Sequence, residues 1–296
     1  MDPFSDSGEL FSIQQAYYIG DYQGVLAIDT TNFSDKAKEP ANVLAARAKI
    51  RLGRANEVTE SDASSPGLAI VQAYAQYSLA KKSGGNTKQA VESASKIIEQ
   101  AGKSDSNVQY LGGIILASEG KVDEALELLK NHEGSLECVS LIIHLYLAQN
   151  RVEDARKEAE GAKRWAQDNI VYNLAEAWTD LRLNGEHSQS AYYIYQELTG
   201  GAPTAKSLVG QAVAHLQQGQ FPEAEEELKE ALQLDPENAE ALANSIALAI
   251  VSGKDYADLE TKLETVQKDH PSLVDLKAKE DLFSKVVEKY AAKATA

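Results

Sequence analysis

Histidines, a cysteine and clustered carboxylates are the residues of this chain whose side chains could bind a metal or take part in catalysis. The histidines share no metal-ligand spacing, and no pair of cysteines accompanies them. His215 lies four residues before Gly219 on an apolar helical pattern, which favours a core histidine over a metal ligand. The sequence therefore predicts no metal site from His132, His144, His187, His215 and His270.

The remaining reactive groups also have simpler interpretations. Cys138 lies in the apolar helical pattern SLECVSLIIHLYL, which indicates a packed small side chain rather than a nucleophile. A single cysteine excludes an internal disulfide and is typical of a reducing compartment. The acids at 225–227 lie along an amphipathic helix, where a solvated face explains them. The stretches LVGQA and GGN lack the lysine and hydroxyl residue of a phosphate-binding loop. We therefore predict a non-enzymatic protein without cofactors.

Charge and composition narrow the class of partner. The 296 residues include 45 acids and 29 bases, a formal charge of −16, and offer no basic face for nucleic acid or anionic membranes. Apolar residues make up 43% of the chain and charged residues 25%, as in soluble globular proteins. The N-terminal MDPFSDSGEL lacks the features of a signal peptide. No apolar run approaches the roughly 20 residues that span a bilayer, so a cytosolic protein is expected.

A repeat becomes visible when glycines are used as markers. Apolar helical patterns flank each marker, and glycine or asparagine suits the left-handed conformation that ends a helix. The markers recur every 30 to 35 residues, at Gly20, Gly53, Gly85, Gly120, Asn150, Gly185, Gly219 and Gly253. This spacing predicts a series of helical hairpins.

Small residues at fixed distances after each marker support the hairpins. Gly219 is followed by Ala224, Leu228 and Ala231 on one helical face, and then by Pro236, which ends the helix. Small side chains allow neighbouring helices to approach within about 8–10 Å. The pattern resembles the tetratricopeptide repeat (TPR), a helix–turn–helix unit of 34 residues. It predicts an all-α, right-handed α-solenoid of about eight TPR-like hairpins with a C-terminal capping helix.

The repeat also predicts the domain organisation. We expect a flexible N-terminus over 1–9, the solenoid over 10–271, a capping helix over 272–291 and a tail over 292–296. The first two hairpins are degenerate, because Val25 and Val58 stand where alanine is usual. A partner-binding helix is the alternative to a cap for the amphipathic pattern of Leu276, Leu282, Phe283, Val286, Val287 and Tyr290.

A helical solenoid without a catalytic or metal site is expected to hold another polypeptide on its concave surface, which is built from the first helix of each hairpin. In the middle repeats this surface is apolar and mildly acidic, which suits an apolar or basic partner and disfavours a co-chaperone that clamps acidic tails. The predicted binding face consists of Asn107, Tyr110, Leu111, Ile114, Glu137, Ser140, Leu141, His144, Asn173, Glu176, Ala177 and Asp180.

Several segments resemble a known family from end to end. They are LFSIQQAYYIGDYQ, GSLECVSLIIHLYLAQNRVEDARKE, AYYIYQELT, GQAVAHLQQGQFPEAEEELKEAL and AKEDLFSKVVEKYA. Together they resemble the epsilon subunits of coatomer, the coat of COPI vesicles.

The resemblance implies a non-enzymatic coat subunit that binds the C-terminal region of the alpha subunit. It also implies transport from Golgi to endoplasmic reticulum and within the Golgi, in the cytoplasm and on Golgi membranes and COPI vesicles. Membrane contact would be indirect, through the coat. Another TPR scaffold, in organelle transport or a proteasome-like assembly, is the alternative, and identification of a stoichiometric partner would distinguish the two.

Overall fold

The structure is a computed structural model that describes residues 8–59, 65–166, 168–198 and 203–294, and every regular element in these ranges is helical. The predicted all-α class is thereby confirmed. A short 3-10 turn, Ala55–Glu57, lies between the third and fourth helices. The helices are α1 (Phe11–Ile19), α2 (Tyr22–Ala27), α3 (Asp35–Arg51), α4 (Pro66–Lys82), α5 (Lys88–Ala101), α6 (Ser106–Ser118), α7 (Val122–Leu129), α8 (Leu136–Ala148), α9 (Val152–Ala166), α10 (Ile170–Leu183), α11 (His187–Leu198), α12 (Ala205–Gln217), α13 (Phe221–Leu234), α14 (Ala239–Val251), α15 (Ala257–Val266) and α16 (Pro271–Ala294).

The turns of the hairpins confirm the marker series with one correction. Seven markers have positive φ angles, among them Asn150 at 59° and Gly219 at 74°. In the third hairpin the left-handed residue is Gly84, at 64°, and not Gly85. Two glycines follow one another there, so the sequence could not decide which of them ends α4.

Small residues occupy the interior of the second helices, as their spacing predicted. Ala224, Leu228 and Ala231 of α13 are buried, with 0%, 2% and 0% of their surfaces exposed. The corresponding alanines of α9, at positions 155, 159 and 162, are buried as well. Val266, predicted to face inward in the last hairpin, is instead 37% exposed.

The degenerate second hairpin has no regular second α-helix in the described residues. After α3 the chain forms the 3-10 turn Ala55–Glu57, and Val58 is buried against the neighbouring core. Valine is a weaker helix former than the alanine of the other hairpins, in keeping with the loss of regular helix here.

The chain forms two compact units, Met1–Ile194 and Tyr195–Ala296, with the division inside α11. In the first unit α4 packs on α5 and α6, α6 on α7 and α8, and α8 on α9 and α10. In the second unit α12 packs on α13 and α14, and α14 on α15. Within each unit these neighbouring helices thus bury their apolar stripes on one another, as a repeat architecture requires.

The C-terminal helix α16 is longer than the predicted 272–291 and includes part of the predicted tail. Its first turns contact the last hairpin: Leu273 is buried with Leu242 and Leu263, and Lys277 pairs with Glu264. From Leu282 to Tyr290 its apolar side chains are exposed. Residues 1–7 of the predicted N-terminus (1–9) and residues 295–296 of the predicted tail (292–296) lie outside the described residues.

Candidate partner-binding surface

Three neighbouring helices of the first unit, α6, α8 and α10, carry the predicted binding face. Polar N-caps fix where each begins: the side chains of Asp105, Ser135 and Asn169 accept hydrogen bonds from backbone N–H groups of the first turn. Since α8 packs against both α6 and α10, the twelve predicted residues lie on three adjacent helices. Whether they bind a partner stays a prediction.

Burial divides these twelve residues. Leu111, Ser140 and Ala177 are buried, with 1%, 8% and 0% of their surfaces exposed, so they pack between helices. The Ser140 hydroxyl donates to the backbone carbonyl of Glu137. Residues accessible at half-buried or exposed positions are Asn107, Tyr110, Ile114, Glu137, Leu141, His144, Asn173, Glu176 and Asp180. One residue of each predicted quartet thus belongs to the core, because a helix face four residues wide curves into its neighbours.

The acid of α8 already has a base from a distant part of the chain. A guanidinium nitrogen of Arg47 in α3 lies 2.6 Å from Glu137 Oε1, although the two residues are 90 positions apart. The Arg47 guanidinium carbon also lies 4.8 Å from the ring centroids of both Tyr17 and Tyr110. Only 3% of the Arg47 side chain is exposed, so this charge depends on its carboxylate and its two aromatic faces.

The N-terminal helix α1 takes part in the same cluster. Tyr18 hydrogen-bonds Glu137, and burial together with that carboxylate raises the pKa of Tyr18 well above its ordinary value. Helix α1 also contacts α10. We call Tyr17, Tyr18, Arg47, Tyr110 and Glu137 the arginine clasp. It covers part of the predicted binding face with the chain's own first helix.

The acids of α10 are also engaged within the chain. Glu176 accepts hydrogen bonds from Lys163 at 2.9 Å and from the Tyr172 hydroxyl at 3.0 Å. Asp180 lies 3.3 Å from a ring nitrogen of His187, and partial burial raises the pKa of Asp180 above its ordinary value. The mildly acidic character predicted for this face is therefore reduced, because Glu137 and Glu176 are paired with Arg47 and Lys163.

Apolar and aromatic groups remain on the accessible part of the face. Ile114 and Leu141 are half-buried, and His144 is exposed. The His144 ring meets the half-buried Trp178 edge-on, with centroids 6.0 Å apart. Partial desolvation lowers the pKa of His144, which favours the neutral ring. This arrangement can bury an apolar segment of a partner.

A cleft of about 450 Å³ adjoins the clasp in the first unit. Gln14 and Tyr18 of α1 form one side, and residues at the starts of α8 and α10 form the other, together with Trp165, which is 43% exposed. The residues predicted for this surface did not include α1, Arg47 or Trp165. Of these, Arg47 alone had a signal in the sequence, as a base between Ala46 and Ala48, and the other buried residues of α3 are apolar.

The other reactive groups occupy packing positions. Cys138 is buried, and burial raises the pKa of its thiol to about 12. His215 is buried, as predicted, and its Nδ1 lies 2.9 Å from Glu227. Glu227 was expected on a solvated face but is half-buried by this contact. Among the described residues no group of three or more His, Cys, Asp or Glu could hold a metal ion.

Across the described ranges, no helix combines the length and apolar character that crossing a bilayer requires.

Comparison with known sequences identifies one family. The family model described as "Coatomer epsilon subunit" matches residues 6–291. A probable coatomer subunit epsilon of Schizosaccharomyces pombe is 35% identical, covering 80% of this chain and 79% of the relative. Coatomer subunit epsilon-2 of Arabidopsis thaliana is 28% identical over 94% of this chain and 96% of its own. Coatomer subunit epsilon of Saccharomyces cerevisiae is 26% identical over 95% and 98%.

Solved structures show the same repeat architecture. A chain of the APC/C hetero-tetramer Cut9–Hcn1 has a TM-score of 0.59 at 11% identity, covering 94% of this chain and 57% of that one. A tetratricopeptide repeat protein from Parabacteroides merdae has a TM-score of 0.57 at 12% identity, covering 86% and 96%. At such low identity the likeness concerns the fold, and it confirms the predicted TPR-like α-solenoid.

Proposed function

The chain belongs to the coatomer epsilon subunit family and is a subunit of the COPI coat; we propose that it is a non-enzymatic structural subunit that binds the C-terminal region of the alpha subunit. The contact surface in this proposal is the accessible part of the predicted binding face, with Ile114, Leu141 and His144 at its centre. Through this contact the subunit stabilises the coat during Golgi-to-ER and intra-Golgi transport. It stays in the cytoplasm and reaches Golgi membranes and COPI vesicles only through the coat.

One observation carries this proposal: apolar and aromatic groups stay accessible on α6, α8 and α10 while the acids beside them are paired. Glu137, Glu176 and Asp180 lie against Arg47, Lys163 and His187. The free energy of binding must then come mainly from apolar burial, at about 25 cal/mol per Å² before the costs of association. A permanent coat contact is expected to bury about 2,000 Å² or more, so the partner must extend beyond these three residues.

Co-purification with the C-terminal region of the alpha subunit tests the proposal. The Leu141→Asp variant should weaken binding at least about tenfold, because it puts a charge into an apolar contact at a cost above about 1.4 kcal/mol. Leu141 also packs on the core of the first unit. For that reason His144→Glu serves as a second variant, at an exposed position outside the packed core of the first unit.

Leu234→Asp is the matched control, since Leu234 is a 53% exposed leucine at the end of α13. It should bind like the wild type. Helicity measured by circular dichroism should be equal in all variants. Wild-type binding by both Leu141→Asp and His144→Glu would place the interface elsewhere and overturn the proposed surface.

A further inference from the structure

The exposed side of α16 is an apolar surface that the fold leaves uncovered. Beyond the buried Leu273, the exposed fractions of Leu282, Phe283, Val286 and Val287 are 61%, 70%, 44% and 47%. Spacings of one, three and four residues place these four side chains on one side of the helix. We call them the C-terminal apolar face.

The opposite side of the same helix provides a reference point. Val274 is 55% exposed and lies 13 residues before Val287. At 3.6 residues per turn, the two side chains point about 140° apart around the helix axis. Two valines of similar exposure therefore sit on different sides of one helix. One lies within the C-terminal apolar face and the other lies outside it.

The size of the face argues against self-association. Four such side chains present on the order of 400 Å², comparable to the largest apolar patch of an ordinary monomer. Pairing with a second copy would bury on the order of 800 Å² in total, below the roughly 1,200 Å² of a stable interface. A face of this size is better suited to supplement a larger contact, as between subunits of one coat.

The charges beside the face also argue against self-association, and they indicate which charge the partner should carry. Lys285 and Lys289, three and seven residues after Leu282, lie next to Leu282 along one edge of the face. An antiparallel pair of copies would set this lysine edge against itself, and each chain carries a net charge of −16. A neighbour with carboxylates along this edge would be attracted instead.

We propose that the C-terminal apolar face is a second docking surface for a protein neighbour in the coat, one that presents an apolar groove or helix with carboxylates opposite Lys285 and Lys289. The inference rests on coat membership and not on which subunit occupies the predicted binding face. It assigns α16 a role beyond closing the last hairpin, which Leu273 already does.

Cysteine labelling of the isolated chain and of the assembled coat complex tests this proposal. The only native thiol, Cys138, is buried with a pKa of about 12, so engineered cysteines report with little background. A maleimide should label Val287→Cys and Val274→Cys at similar rates in the isolated chain. In the assembled complex, labelling at position 287 should slow at least tenfold while position 274 changes less than threefold.

Charge reversal distinguishes the chemistry of the neighbour. Lys289→Glu should restore labelling of Val287→Cys in the complex, whereas Lys279→Glu, outside this edge and paired with Asp275 of the same helix, should not. Equal labelling at 287 and 274 in the complex would overturn the proposal. So would a dimer of the isolated chain by light scattering that Phe283→Asp abolishes, or Phe283-dependent binding to vesicles containing anionic lipid.

The test is independent of the predicted binding face. Protection at position 287 that survives Leu141→Asp in the assembled complex would support the α16 contact even if the predicted binding face failed. If Leu141→Asp abolishes binding and position 287 is not protected in the complex formed without that substitution, only the predicted binding face is supported.

Discussion

Arg47 shows how a single residue joins distant repeats. Its guanidinium lies between two tyrosine rings and pairs with Glu137 of α8, the first helix of the fifth hairpin. A buried charge without such partners would be strongly unfavourable. The arginine clasp is therefore expected to hold α1 and α3 against α6 and α8 in one arrangement.

Replacing Arg47 with methionine should destabilise the first unit by about 2–4 kcal/mol, because Glu137 loses its base and two tyrosines lose a cation. Arg151→Met is the matched control. Arg151 also stacks on a tyrosine, Tyr146 at 4.4 Å, and pairs with an acid, Asp154 at 2.8 Å, but it is 45% exposed. Its loss should cost less than about 1 kcal/mol.

Urea unfolding followed by tryptophan fluorescence measures both variants, since the two tryptophans of the chain, Trp165 and Trp178, lie in the first unit. Equal midpoints for the two variants would show that the clasp contributes no more than an ordinary surface ion pair.

Glu225 is a residue whose charge should make stability depend on pH. Hydrogen bonds from Lys229 and Lys254 lower the pKa of this carboxyl to about 2, from an ordinary value of 4.5. Because the folded-state pKa is depressed, the charged carboxylate stabilises the fold above about pH 4.5, and this contribution is lost as pH falls toward 2. The side chain is 34% exposed, so the contribution is less than about 1 kcal/mol.

Thermal unfolding of Glu225→Gln against the wild type tests this sign. The wild type should be more stable at pH 7, and the difference should shrink between pH 4 and pH 2. Glu226→Gln provides the control, because Glu226 is exposed and no base pairs with it among the described residues. A difference for Glu225→Gln that grows on acidification would contradict the assignment.

At the scale of helices, Gly210 is required by close packing. A Cβ added there would lie 2.3 to 2.6 Å from ring atoms of the buried Tyr195. Glycine within a helix normally costs about 0.5–1 kcal/mol relative to alanine, so the contact between α11 and α12 outweighs that cost.

Gly210→Ala should therefore destabilise the second unit by about 1–3 kcal/mol through overpacking. Gly161→Ala is the matched change: Gly161 lies within α9, and a Cβ there would meet nothing within 4 Å. That variant should gain about 0.5–1 kcal/mol. Circular dichroism during thermal unfolding measures both, and stabilisation by both would refute the packing argument.

Helices were predictable because each hairpin contains its own signals. Left-handed residues at turns and small residues at fixed spacings are local signals, so seven of the eight turn residues were placed correctly from the sequence, and Gly85 was wrong by one position. Leu111, Ser140 and Ala177 were placed on the surface because helical phase is uncertain by a residue or two. The arginine clasp has no periodic signal, since contacts between residues 90 positions apart depend on how the hairpins stack.

At the scale of the whole molecule, the strong negative charge raises the question of how the chain attracts its partner. A net charge of −16 would suggest attraction of a basic segment. On the predicted binding face, however, Glu137, Glu176 and Asp180 already lie against bases of the same chain. Apolar burial should then dominate binding to the alpha subunit, and apolar burial is not screened by salt.

We therefore expect the Kd for the C-terminal region of the alpha subunit to change less than about threefold between 50 and 500 mM salt, measured by calorimetry. If the partner is basic, Lys163→Met should make the dependence of Kd on salt steeper, because it exposes the Glu176 carboxylate. Lys163 is itself 61% exposed, so the fold should tolerate the change. A wild-type affinity that falls more than tenfold with salt would mean that carboxylates attract the partner, and the apolar basis of the contact would be wrong.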